Sequence, residues 1–180
     1  MTSLQRFLLP LLLLGPSGLF AQAPWRDPLA RDLPLMGQHN WIIVAEPAFP
    51  LLTAPGIDVV ATDLSQTDLL TAVLDALSRA RNVRPAFFTA SELPLVPERD
   101  ANGIGAFRAQ LAVILKGSEV NATLPQDQIM GNIQDISGTY RVLVLKSTTT
   151  LPYTSVFIQL DDGYWSSDAE KHLRAAMQPR

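Results

Sequence analysis

Trp41-Ile42-Ile43-Val44-Ala45 is an unbroken run of five apolar residues, closed at once by Glu46-Pro47-Ala48-Phe49-Pro50. A strand with one wet face alternates apolar and polar residues. A continuous apolar run instead reads as a strand covered on both faces, as in a parallel sheet with helices above and below. The two prolines stop it, because proline has no N–H to give to a central ladder.

Working outward, the flanking segments repeat this logic. Ile57-Asp58-Val59-Val60-Ala61, entered from the turn pair Pro55-Gly56, predicts a second strand. Ser65-Gln66-Thr67-Asp68 opens a helix in the manner of a capping box, and Leu69, Leu70, Val73, Leu74 and Leu77 keep one apolar face. Pro85-Ala86-Phe87-Phe88-Thr89 is the next strand, so strand, helix and strand follow within the length of a βαβ unit. Ile104, Phe107, Leu111 and Ile114 mark a second amphipathic helix. Ile129, Met130, Ile133 and Ile136 mark a third, opened by Pro125. Val142-Leu143-Val144-Leu145 is a buried strand, and Thr154 to Leu160 reads as the last one. Ser167-Asp168-Ala169-Glu170 caps a final helix, with Ala169, Leu173, Ala176 and Met177 expected to face inward. The alternation predicts a three-layer α/β/α domain on a mostly parallel sheet. Binding sites in such sheets lie at the carboxyl ends of strands. Two segments fall there: the turn at Glu46-Pro47 and the polar connection that ends at Tyr153.

Length and composition are consistent with one domain. The chain has 180 residues, 47% hydrophobic and 17% charged, with a net charge of −3. Nothing in that balance draws the protein to nucleic acid or anionic lipid. Cysteine is absent and histidine occurs twice, at His39 and His172, so neither a thiol nucleophile nor a Cys- or His-rich metal site is expected. His172 reads as a surface residue of the last helix. The N-terminus carries Arg6, then Phe7-Leu8-Leu9-Pro10-Leu11-Leu12-Leu13-Leu14, then small residues to Ala23. That order of charge, short apolar core and small residues is the pattern of a secretory signal. Residues 1–23 are expected to be removed after Ala21 or Ala23, leaving 24–180 as a single exported domain in a periplasm or outside the cell, with no stable membrane insertion.

Several chemical motifs fail on inspection. Gly103-Ile104-Gly105 lacks the third glycine and the preceding strand of a dinucleotide site, and there is no phosphate-cradling lysine loop. No serine sits in a nucleophile elbow. Asn121-Ala122-Thr123 matches a glycosylation acceptor and is read as coincidence. Asp161-Asp162 reads as a solvated turn rather than a paired acid site.

Two segments together are more specific. Met36-Gly37-Gln38-His39-Asn40-Trp41-Ile42-Ile43-Val44-Ala45-Glu46-Pro47 resembles the opening strand of the ribose pyranase and fucose mutarotase family (RbsD/FucU), in which a glycine and a histidine precede an apolar strand ending in an aspartate. Pro152-Tyr153-Thr154-Ser155-Val156-Phe157-Ile158 resembles its closing strand, entered by a tyrosine, a small residue and an asparagine. Order and spacing agree over nearly the whole of 24–180. The resemblance implies an RbsD-like α/β/α fold, a ring-shaped homo-oligomer with monosaccharide sites at subunit contacts, and interconversion of sugar anomers or ring forms with no metal or cofactor. This chain departs from the pattern at Gln38, which aligns with the histidine and is followed by His39, at Glu46 for aspartate, and at Ser155 for asparagine.

Mutarotation requires a base on the anomeric hydroxyl and an acid on the ring oxygen. Histidine suits both near neutral pH, a carboxylate can orient it or exchange the proton itself, and tyrosine can donate to a sugar hydroxyl. The resemblance therefore implies His39 as acid/base, Glu46 as its partner and Tyr153 as a donor, with Gln38 and Ser155 as further sugar contacts. A non-catalytic carbohydrate-binding or assembly module on the same fold is the alternative.

Overall fold

The structure, a computed structural model, describes residues 25–118 and 120–178. The expected signal segment lies outside the described residues, apart from which the chain enters the fold at Trp25, only 2% exposed. The strands are β1 (Trp41–Ala45), β2 (Ile57–Ala61), β3 (Val83–Ala90), β4 (Val120–Leu124), β5 (Val142–Lys146) and β6 (Val156–Asp162). The helices are α1 (Arg26–Asp32), α2 (Gln66–Arg79), α3 (Ile104–Ile114), α4 (Gln126–Ile136) and α5 (Ser167–Ala176). One six-stranded sheet runs in the order β2-β5-β1-β6-β3-β4. β6 is antiparallel to both its neighbours, β1 and β3, and the remaining pairs are parallel.

β1 is covered on both faces, as its unbroken apolar run predicts. Ile42 and Val44 join one core with Leu69, Leu70, Val73 and Leu77 of α2 and Ile104, Phe107 and Leu111 of α3. Trp41, Ile43 and Ala45 join a second core with Ile129 and Ile133 of α4. β5 divides in the same rhythm, Leu143 and Leu145 to the first core and Val142 and Val144 to the second. This is the period-two alternation of a pleated strand, applied to a sheet with helices on both sides. Each such side chain, withdrawn from water, contributes about 1.5–3 kcal/mol before chain entropy is set against it. α2 starts where its cap predicts: the Ser65 side chain accepts the Asp68 N–H at 3.2 Å.

Three elements differ from the sequence expectation. β6 begins at Val156 rather than Thr154: the ladder with β1 ends at the pair Val44 and Val156, and Thr154 and Ser155 make their hydrogen bonds to Gln66, Leu151 and Glu46 instead. β4 was not anticipated: Val120 to Leu124 forms a short edge strand beside the carboxyl half of β3. Its pairing starts only at Phe87, so Pro85 of β3 has no β4 neighbour needing its absent N–H. Finally, α5 buries nothing. Leu173 is 44% and Met177 62% exposed, so the stripe expected to face the core faces solvent.

Candidate functional site

Because β1 and β5 are parallel, their carboxyl ends bring Glu46 and the connection 147–155 to the same edge of the sheet. A cavity of about 440 Å³ opens there, in the size range of small-molecule sites. It is lined by Glu46, Pro47 and Ala48 after β1, by Thr150, Leu151, Pro152 and Tyr153 before β6, and by Gln126 at the head of α4. The two segments expected at strand ends thus meet in one pocket.

Glu46 is the first residue past β1 and is only 7% exposed. The Ser155 hydroxyl donates to its Oε2, and the Glu46 N–H in turn reaches Ser155 Oγ at 3.4 Å. Burial pushes the Glu46 carboxyl above its ordinary value of 4.5; the backbone N–H groups of Glu46 and Ser155 and the charge of Lys146 pull the other way without cancelling it. Lys146 itself is held at the rim, where its Nζ donates to the Pro47 carbonyl at 3.2 Å. Tyr153 is 37% exposed at the mouth. Its left-handed φ of 59° is a conformation that costs a non-glycine residue about 1–2 kcal/mol. The loop around it is closed by the Thr154 hydroxyl, which donates to the Leu151 carbonyl at 2.8 Å.

Gln126 has no counterpart among the residues singled out from sequence. Its backbone N–H is held by both carboxylate oxygens of Glu92, at 3.1 and 3.2 Å, which fixes the start of α4. The residue lines the cavity, and among the described residues its buried side-chain Oε1 has no hydrogen-bond partner. Recognising β4 would have revealed it, since a residue two places beyond a parallel strand lies at the binding edge.

The other predicted residues lie elsewhere. His39 precedes β1 and Glu46 follows it, so seven residues of extended chain put them roughly 20 Å apart at opposite edges of the sheet. The expected partnership of His39 with Glu46 does not exist within one chain. His39 takes a left-handed φ of 68°, gives its N–H to the Leu160 carbonyl at 2.9 Å and packs against Tyr140 with ring centroids 5.3 Å apart and planes tilted by 54°. Gln38 is also at that edge, where its amide donates to Asp161 and Asp162 at 3.1 Å each. Asp161 is further paired with Arg84. Among the described residues no cluster of three His, Asp or Glu is arranged to hold a metal ion, and no helix is long and apolar enough to cross a membrane.

Compared with solved structures, the chain superposes on FucU from Bifidobacterium longum with a TM-score of 0.52, covering 75% of this chain and 94% of that one at 17% identity. The fold is FucU-like. Bacillus subtilis RbsD complexed with D-ribose is similar at a TM-score of 0.49 and 14% identity, over 75% of this chain and 92% of that one. No family model matches the sequence, and no curated protein does. The FucU-like layout places the strand ends, and hence Glu46 and Tyr153, by topology. At this identity the side chains at those ends are this chain's own, and their chemistry is argued from their contacts.

Proposed function

We propose that this protein binds a free monosaccharide between Glu46 and Tyr153 and interconverts its anomers or ring forms. The observation that carries the reading is a carboxyl group raised by burial, sharing one sugar-sized cavity with a phenol, at the binding edge of a FucU-like fold. Ring opening takes the proton from the anomeric hydroxyl, breaks the bond between the anomeric carbon and the ring oxygen, and protonates that oxygen. Rotation and reclosure on the other face give the second anomer. A carboxyl whose affinity for protons is shifted toward neutrality can serve in both directions, as base when ionised and as acid when protonated. Tyr153 donates a hydrogen bond to a sugar hydroxyl.

His39 and Gln38 reach this cavity only from a second copy of the chain. A homo-oligomer that sets the His39 edge of one copy against the Glu46 edge of the next would supply the missing acid/base, in line with sugar sites at subunit contacts. Export of residues 24–180 belongs to the same proposal: the sugar is met before uptake. The alternative, a carbohydrate-binding or assembly module without catalysis, is favoured by Ser155, whose hydroxyl is given to Glu46 rather than left free for a ligand.

Saturation-transfer NMR on a panel of pentoses and hexoses tests the enzyme reading with the mature protein. Accelerated exchange, lost in Glu46→Gln, supports it. Exchange restored by mixing Glu46→Gln with His39→Ala protein, each inactive alone, supports the shared site. Binding without acceleration for every sugar selects the alternative.

A further inference from the structure

Gln66 is the first residue of α2 and has no exposed surface. Its side-chain amide leaves the helix and reaches the sheet edge. There Nε2 donates to the Val44 carbonyl at 2.7 Å and to the Thr154 carbonyl at 2.8 Å. Its backbone N–H is held by Thr149 Oγ1 at 2.9 Å. Val44 lies two residues before Glu46, and Thr154 lies between Tyr153 and Ser155. The β1–β6 ladder ends at the pair Val44 and Val156, so beyond it nothing in the ladder sets the distance between the two strand ends. Beside the Ser155–Glu46 contact, the Gln66 amide bridges that gap from the helix side.

We propose that Gln66 is a positioning residue for the Glu46–Tyr153 cavity, tying the end of β1 to the entry of β6 and holding Tyr153 in its left-handed conformation. This rests on the reading that Glu46 and Tyr153 act in one site. Two features make the amide more than a buried structural contact. Tyr153 is strained and half out in solvent, so its own packing does not account for its backbone; the residue after it is clamped by Gln66 on one side and by its own hydroxyl bond to Leu151 on the other. Both carbonyl contacts require the NH2 group, so no flip of the amide replaces them, and among the described residues Oε1 has no partner. A buried polar group kept at that cost is explained by what its donors hold.

The test compares Gln66→Met, which keeps length and removes both donors, with Gln66→Asn, which keeps an amide too short to bridge, and with Leu77→Ala. Leu77 is buried in the last turn of α2, far from the cavity, and serves as a control of lowered stability. The first readout needs no sugar: backbone chemical shifts report whether Tyr153 keeps its left-handed geometry. We expect it to leave that region in Gln66→Met, or in Gln66→Asn should the Met variant not fold, and to stay there in Leu77→Ala. The second readout is sugar exchange. Displacing a reacting group by about 1 Å costs roughly a hundredfold in rate, so kcat should fall by about that factor in the Gln66 variants and not in the control. Unchanged Tyr153 shifts in a folded Gln66 variant overturn the inference. Wild-type protein without exchange activity overturns the proposed function and leaves the shift experiment to decide the role of Gln66.

Discussion

Replacing Ser155 by alanine removes one oxygen, yet it should change how the protein's stability depends on pH. The Ser155 hydroxyl is 1% exposed and donates to the buried Glu46 carboxylate. A hydrogen bond to a charged group is worth about 1.5–3 kcal/mol. We therefore expect Ser155→Ala to lose about 2 kcal/mol where Glu46 is ionised, which for a domain of this size is a fall of about 4–8 °C in Tm. The sign with pH follows from linkage. Burial already raises the Glu46 carboxyl, and the hydroxyl counteracts this by stabilising the charged form. Without it the folded-state value rises further. The deficit is then complete above the folded value of the variant and shrinks as pH falls through that value, because a protonated Glu46 has less need of a donor. Urea unfolding of wild type and variant, followed by tryptophan fluorescence at several pH values from 4 to 8, reads this directly. A deficit of the same size at both ends of the range would refute the argument, since it would mean that the hydroxyl contributes packing and not charge stabilisation.

Glu46→Gln makes the complementary prediction. A raised folded value means that wild-type stability is fully present below the ordinary 4.5 and is lost as pH rises through the folded value, so the variant should flatten that decline while abolishing sugar exchange. Tyr153→Phe removes a hydroxyl from a side chain 37% exposed; stability should stay within about 0.5 kcal/mol of wild type, with exchange reduced about tenfold or more by NMR. Gly56→Ala should be among the costliest small changes, because the new Cβ would lie 2.4 Å from the Ser137 carbonyl oxygen and 2.8 Å from that of Tyr140. Both are backbone atoms that cannot turn aside, so we expect a loss above about 2 kcal/mol by thermal or chemical unfolding.

The fold was legible where a segment's own residues decide its environment. The unbroken run at Trp41–Ala45 and its partner Val142–Leu145 say that both faces are covered, and α2, α3 and α4 of the covering layers announce themselves by an apolar stripe. β6 was legible as a strand and not as an antiparallel one, since direction depends on where the chain re-enters the sheet and not on the residues Val156–Leu160 themselves. β4 went unread although Val120, Ala122 and Leu124 alternate with polar residues, because a five-residue edge strand carries few apolar positions and its sequence doubled as a glycosylation pattern. α5 misled in the opposite sense: a strong helical stripe says that a face is apolar, not that the same chain covers it.

The site divides along the same physical line. Glu46 and Tyr153 could be placed together from sequence because strand direction carries residues at the ends of β1 and β5 to one edge, whatever the loops do. His39 could not, because seven positions of separation look close along the chain while an intervening strand makes them far apart in space. Ser155 was expected to face a ligand; its near-complete burial instead turns its hydroxyl onto Glu46, so under the proposed function it would act on a sugar through the proton affinity of that carboxylate. Gln66 was read only as part of a helix cap, which is what its neighbours Ser65 and Asp68 provide. Its own side chain does something no local pattern encodes, reaching from the first turn of α2 to two carbonyls 22 and 88 residues away in sequence. The chemistry at this edge of the sheet therefore depends on two kinds of information. Strand ends, which are local, bring the carboxylate and the phenol near each other. Buried polar ties, which are not local, set the distance between them.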